Sequence, residues 1–302
     1  MPENSPISVV IPTYNRADLL RAALESMLAQ SVLPREVVVV DDGSTDHTAE
    51  VVGEIADRAA GRIKVIFLQG PHLNRRGDAR NRGAAATTTP LVAFLDSDDL
   101  WKPQRIERQL QALEKAPEAG FAFCNVQRFD EAGLIGGPCL APSLDFNGEI
   151  LGDILEDPRA VPSTLVVRRN TFEQVGRFRE MRINEDYELT LRLALHSQAS
   201  YVPEVLVMMR EHSGSTSRAL REIPLLDYIQ VVGEFLLKHP QLPRQTRARG
   251  RRAIANAHFK LARLYKEYGD KAAARRHIKA FVKLRPWDRR AIPAYVRSSF
   301  EF

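Results

Sequence analysis

The sequence predicts an α/β fold with a mostly parallel central sheet, followed by an all-helical C-terminal extension. Three observations carry this. The first hundred residues alternate short apolar runs with segments of helical spacing, and strand–helix–strand alternation implies right-handed crossovers and a parallel sheet covered on both faces. One of those runs, Val37-Val38-Val39-Val40, is continuously apolar, as a strand buried on both faces requires. From Ile223 onward no strand pattern remains.

The elements follow in order. Ile7–Ile11 is a β-rich run that reaches Pro12. Between Ala17 and Gln30, Leu20, Ala23, Leu24, Met27 and Leu28 fall on one helical face. Glu36–Val40 is the second strand, and Asp42-Gly43-Ser44-Thr45-Asp46 turns the chain into a helix running towards Arg58. Ile63–Phe67, a helix near Asp78–Ala86 and Leu91–Leu95 complete the regular part. In the mixed region after it, Gln104–Lys115 and Glu185–His196 read as helices, and Gly120–Phe129, Ser163–Arg168 and Tyr201–Met209 as strands. Residues 1–217 are expected to form the first domain and 218–302 a basic helical extension. Within that extension Leu261, Ala262, Tyr265, Gly269, Ala274, Ile278 and Pro286 follow the spacing of a single tetratricopeptide unit. Two readings stand: a plain helical hairpin, or a repeat-like docking surface.

Composition narrows the class. The chain has 302 residues, 44% hydrophobic and 27% charged, enough to bury a sizeable core. No run of about 18 uncharged apolar residues predicts a membrane span, and the N-terminal residues lack a signal-peptide pattern. Cys124 and Cys139 form neither a metal-ligand spacing nor a disulfide framework, so a cytoplasmic protein is expected. The net charge of +5 hides an asymmetry. Residues 244–302 hold 17 Lys+Arg against 4 acidic groups, a charge of +13, so the rest carries −8. The basic segment has no nucleic-acid motif, and no nucleic-acid partner is expected. It is expected either to contact anionic membrane peripherally or to be a solvated face pairing with the acidic body. The C-terminal helices are also where copies of the chain would associate.

The chemistry gathers at strand ends. Asp41 and Asp42 follow the second run, and Asp96, Asp98 and Asp99 follow the fourth. Ligands of open parallel sheets bind at the carboxyl ends of the strands, so these carboxylates should converge. Turn-making and helix capping explain a single strand-end Asp, and for Asp42 and Asp46 that reading stands beside the functional one. Three carboxylates in four residues repel one another unless a cation neutralises them. Hard oxygen donors there suit Mg2+ or Mn2+ holding a diphosphate. The chain has neither a P-loop nor a dinucleotide-binding G-x-G-x-x-G after its first strand.

The ordered blocks Ser8–Arg16, Val39–Asp46, Ala79-Arg80-Asn81-Arg82-Gly83, Phe94–Pro103, Glu185–Arg192 and Arg210–Ser217 resemble glycosyltransferase family 2, over roughly residues 6 to 217. The resemblance implies a GT-A fold and an inverting, metal-assisted transfer from a nucleotide-diphosphate sugar, most simply a UDP-sugar. It implies a glycan or lipid-linked acceptor and a place in cell-surface polysaccharide or glycolipid synthesis. It assigns the nucleotide-sugar to Pro12, Thr13, Tyr14, Arg16, Asp41, Arg80, Asn81, Asp96 and Ser97. Asp41 would accept from the base and Tyr14 would stack on it. Asp98 and His212 would hold Mn2+ or Mg2+, with Ser213–Ser217 as a lid. Asp186 would be the catalytic base, its pKa raised by Glu185. The bland readings are that Arg80 pairs a surface acid and Asp186 caps its helix. Trp101 stands either on the acceptor side with Glu185 or in the core, and Arg177 and Arg179 line an acceptor channel or a solvated face. The alternative function is an inactive scaffold of the same fold that docks through its helices.

Overall fold

The computed structural model describes residues 5–72, 74–141, 143–158, 160–181, 183–211 and 222–291. They form two compact units: the described parts of 1–150 and 159–212, and those of 151–158 and 213–302.

The first unit is built on one sheet. Its parallel part has the spatial order β3-β2-β1-β4, with β1 Ile7–Thr13, β2 Glu36–Asp41, β3 Lys64–Gln69 and β4 Leu91–Phe94. Beyond β4 the sheet is mixed. β8 (Val166–Arg168) runs antiparallel to both β4 and β6 (Ala119–Asp130). Next to β6 lies β9 (Gln198–Arg210), parallel to it, then β5 (Leu100–Trp101), antiparallel to β9. β7 (Gly133–Ile135) pairs with β6. The expected strand at Ser163–Arg168 is shorter than its pattern, because Pro162–Thr164 is a 3-10 turn. That turn matters for the site.

Both faces of the parallel part are covered, as the valine run requires. On one face Leu20, Leu24 and Met27 of α1 (Ala17–Leu28) join Val51 and Ile55 of α2 (Thr48–Ala59) over Ile7, Val9, Ile11, Val37 and Val39. On the other lies α3 (Arg76–Ala85). A Cβ on Gly83 would stand 2.3 Å from Val10 Cγ1 and 2.9 Å from Val40 Cγ2, so only glycine allows this approach. Phe94, Phe172 and Phe178 pack in tilted and edge-on contacts 5.1–5.8 Å apart. The remaining helices of this unit are α4 (Arg105–Lys115), α6 (Arg169–Gln174) and α7 (Glu185–His196).

The second unit contains α5 (Leu151–Glu156), α8 (Ile223–Lys238), α9 (Arg244–Glu267) and α10 (Lys271–Leu284). α9 and α10 form an antiparallel hairpin, and the left-handed Gly269 (φ +77°) ends the first arm. Asp270 caps the second, accepting from the Ala273 N–H at 2.8 Å. The tetratricopeptide likeness remains one of sequence spacing. Arg249 bridges Asp153 at 2.7 Å and Glu156 at 3.1 Å, which ties α5 to α9.

Candidate active site

The carboxyl ends of β1, β2 and β4 hold Pro12, Thr13, Tyr14, Asp41, Asp96, Ser97 and Asp98. Thr13 pairs with Asp41 across β1 and β2. Pro12 lies beyond the last residue of β1 paired with β4, where a missing N–H breaks no rung on that side. Asp41 is 2% exposed, and its Oδ1 accepts from the Ser44 N–H at 3.0 Å and the Ser44 hydroxyl at 2.5 Å. Its Oδ2 takes no bond from the described residues. Close by, the Thr13 hydroxyl is buried with no partner. An orphaned buried hydroxyl beside a half-used carboxylate is costly in a stable fold unless a ligand completes it. Tyr14 is 38% exposed and stacks on His72, ring centroids 3.8 Å apart.

Asp46 has a structural duty. Its carboxylate accepts from the Ala17 N–H and from both the N–H and hydroxyl of Thr48, so it caps the starts of α1 and α2. Asp42 accepts from the Asn74 N–H at 2.9 Å and lies 3.0 Å from His72 Nδ1, which holds the loop after β3.

Arg80 is the centre of the site. The close seat of α3 carries it inward until it is 2% exposed. Its Nη2 donates to Asp96 at 2.6 Å and its Nη1 to Glu185 at 2.8 Å. Burial opposes this guanidinium's charge, but Asp96 and Glu185 outweigh that and hold its pKa above the ordinary arginine value. The pair it makes is buried, so the surface-pair reading of Arg80 does not hold. One arginine thereby links the end of β4 to the start of α7.

Asp186 is the second residue of α7, partly buried beside that network. The helix opens at Asn184 in the left-handed region (φ 59°) without a side-chain cap. Among the described residues Asp186 Oδ1 accepts from its neighbour's N–H, that of Tyr187, at 2.8 Å. Burial and then the Glu185 carboxylate push the Asp186 carboxyl up to about 6, against the opposing pull of Arg80. The N-terminal end of a helix dipole normally favours an ionised acid; here desolvation and like charge win.

Asp96, Ser97, Asp98 and Asp99 form the turn after β4. Asp98 accepts from Arg16 at 2.6 Å. Ser97 is buried. Asp99 is 4% exposed, and its carboxyl is raised by burial and by the charges of Asp96 and Asp98. The turn is therefore over-supplied with negative charge. Among the described residues no three His, Cys, Asp or Glu side chains form a complete metal cage. A magnesium-type site commonly takes only one or two carboxylates and completes its shell with substrate phosphates, and Asp98 with Asp96 fits that donor set. His212 and Ser213–Ser217 lie outside the described residues.

Three expectations are corrected by geometry. Trp101 is 3% exposed, donates from Nε1 to the Ser163 carbonyl at 3.0 Å and lies 3.7 Å beneath the Arg105 guanidinium. It is a core residue with no face for an acceptor. Asn81 spends its amide on the Phe178 backbone, donating to the carbonyl at 2.8 Å and accepting from the N–H at 3.1 Å, so it positions the loop before α7. Glu185, 5% exposed, is held by Arg80 at 2.8 Å beside the Asp186 carboxyl, not on an open acceptor face. Arg177 pairs with the exposed Glu173, the solvated-face reading, and Arg179 reaches from the surface to the buried Glu188.

Sequence reasoning missed Ser163. Its hydroxyl accepts from the Asp96 N–H at 3.0 Å and donates to Asp99 Oδ2 at 2.6 Å. Its carbonyl accepts from Trp101 and from Arg105 at 3.1 Å. Burial lowers the Arg105 pKa to about 10, which leaves it charged at neutral pH. Arg105, Trp101 and Ser163 thus brace the acidic turn from behind. A Ser in a Pro-Ser-Thr run, far from the acidic block, carries no local signal of this role.

The fold is that of GT-A glycosyltransferases. S. aureus TarS (residues 1–349), solved with UDP-GlcNAc, matches with a TM-score of 0.69 at 19% identity, over 97% of this chain and 88% of that one. The chain belongs to glycosyl transferase family 2, whose model matches residues 8–176. Among curated relatives, the succinoglycan biosynthesis protein ExoO of Rhizobium meliloti is 33% identical over 75% of this chain and 65% of its own length. The Escherichia coli protein WfaP, named as a UDP-Glc:alpha-D-GlcNAc-diphosphoundecaprenol beta-1,3-glucosyltransferase, is 27% identical over 70% of this chain and 79% of its own. The matches span 34% and 65% of the first two curated relatives.

Proposed function

We propose that this chain transfers a sugar, with inversion, from a UDP-sugar to a hydroxyl of a glycan or lipid-linked acceptor in the synthesis of a surface polysaccharide or glycolipid. The observation that carries this is the cluster in which Arg80 joins Asp96 at 2.6 Å and Glu185 at 2.8 Å, with the partly buried Asp186 carboxyl beside it pushed up to about 6. A general base works best when its pKa lies near the working pH.

The geometry supports a role for each residue. Asp41 Oδ2 and the Thr13 hydroxyl are the unused polar atoms of a nucleoside pocket, the carboxylate suited to a base N–H. Tyr14 offers a ring for stacking. Arg80 neutralises Asp96 and fixes α7, so that Asp186 keeps its place while the acceptor hydroxyl gives up its proton to a carboxylate oxygen. Mn2+ or Mg2+ held by Asp98 and Asp96 would supply charge compensation for the departing diphosphate. UDP in the structure of TarS and in the name of WfaP supports the choice of base, and ExoO and WfaP support the acceptor class. The inactive-scaffold reading has less behind it, because a degenerate site would be expected to lose the acidic turn or the raised acid, and neither is lost.

The test is calorimetric titration of UDP and of GDP with and without Mn2+. Metal-dependent binding of UDP is expected, lost in Asp98→Ala. Absence of binding by any nucleoside diphosphate would overturn the reading.

A further inference from the structure

The basic charge is not spread evenly through the helical unit. From Lys271 to Trp287 the chain carries six Lys+Arg and no Asp or Glu. α10 turns its apolar residues Ala274, Ile278 and Phe281 inward and leaves Arg276, Lys279 and Lys283 exposed, at a spacing that places them on one face. None of the three has an ion-pair partner among the described residues. Arg285 and Arg290 differ, for they share Asp288. The stripe runs into two outward-facing apolar side chains, Leu284 at 38% exposure and Trp287 at 97%. Arg289, also exposed, stands beside them.

An unpaired cationic row beside a bare tryptophan is an unusual thing to leave in water. Lysine and arginine stems lie along apolar surface while their heads stay solvated, and tryptophan prefers the boundary between headgroups and acyl chains. We propose that the α10 face formed by Arg276, Lys279, Lys283, Leu284 and Trp287 docks on an anionic lipid bilayer, the cations against the headgroups and Trp287 in the boundary layer. The charge row alone would suit any polyanion; the apolar end of the stripe is what selects a lipid surface. The inference stands on this face only and is independent of the donor reading.

The chain has two tryptophans, and Trp101 is buried in the core, so any change of fluorescence colour on binding reports Trp287. The full chain is mixed with vesicles of phosphatidylcholine alone or with one-third phosphatidylglycerol. Pelleting is expected with the anionic vesicles only, released as salt rises, together with a blue shift of emission. Each lysine near such a surface is worth about fivefold in partition, so Lys279→Gln with Lys283→Gln should lower it about 25-fold. Trp287→Ala should weaken pelleting with every charge intact. UDP binding should be unchanged in these variants, which keeps the result separate from the catalytic reading. Three outcomes overturn the proposal: no pelleting, pelleting indifferent to both variants, or capture of single-stranded polyuridylate as tight as that of vesicles without a blue shift.

Discussion

Asp186 holds two opposed properties. Ionised, it is the base proposed above; ionised and partly buried beside Glu185, it is also a cost to the fold. With its folded-state value raised to about 6, the cost is absent below the ordinary carboxylate range and complete above pH 6. Asp186→Asn should therefore reduce transfer by about 100-fold or more. It should also stabilise the protein above pH 6 by on the order of 1–3 kcal/mol, the gain fading as pH falls towards 4. In the wild type, turnover should climb with pH through about 6. Equal melting temperatures for the two proteins at pH 7 would count against the raised carboxyl. Ser163 gives the second residue-scale prediction. Ser163→Ala leaves the Asp99 carboxylate and the Asp96 N–H without their shared partner, a loss of about 1–3 kcal/mol. Because Asp96 belongs to the proposed metal and donor site, the apparent affinity for UDP with Mn2+ should fall, and more steeply than the affinity without metal. An even loss in both would make Ser163 merely structural. Asp96, Asp98 and Asp99 were legible because they crowd at a strand end, and Asp186 through the family resemblance. Ser163 and Arg105 were not, because their work is done through backbone groups some 60 residues away in sequence.

At the level of elements, the regular half of the sheet and its helices follow the hydrophobic periodicity closely. Glu185–His196 coincides with its expected bounds, and the valine strand with its own to within a residue. What escaped were two-, three- and six-residue pieces: β5, β7, α5 and α6. Such pieces are too short for a period to show and are set by tertiary pairing. Helix α3 shows how an element delivers a residue. Gly83 lets it touch Val10 and Val40, and that seat sets the depth of Arg80. Alanine is the better helix former by about 1 kcal/mol, but its Cβ would overlap the stiff side chain of Val10. Gly83→Ala should therefore lower stability by about 1–3 kcal/mol and weaken donor binding with it. Calorimetric melting that shows no loss would mean that the two valines repack.

For the whole molecule, the sequence arithmetic separated an acidic body from a basic tail, and the structure draws the line elsewhere. Among the described residues no helix is long and apolar enough to cross a membrane. The boundary expected after residue 217 is where the family resemblance ends, and it lies outside the described residues. The compact unit containing the C-terminal helices, however, also takes in Leu151–Pro158, with Ile154 and Leu155 fully buried and the Leu155 carbonyl accepting from the Tyr228 hydroxyl at 2.7 Å. No composition shift marks that insertion, since six helical residues inside a long mixed region look like any loop. A chain ending at residue 217 should consequently be less soluble than the full chain, and replacing the α5 apolar pair with polar residues should restore it. The α5 feature also bears on modularity. An element lent by one unit to another cannot be exchanged by a single splice, so transplanting these helices onto another catalytic body means grafting two separate stretches of sequence at once.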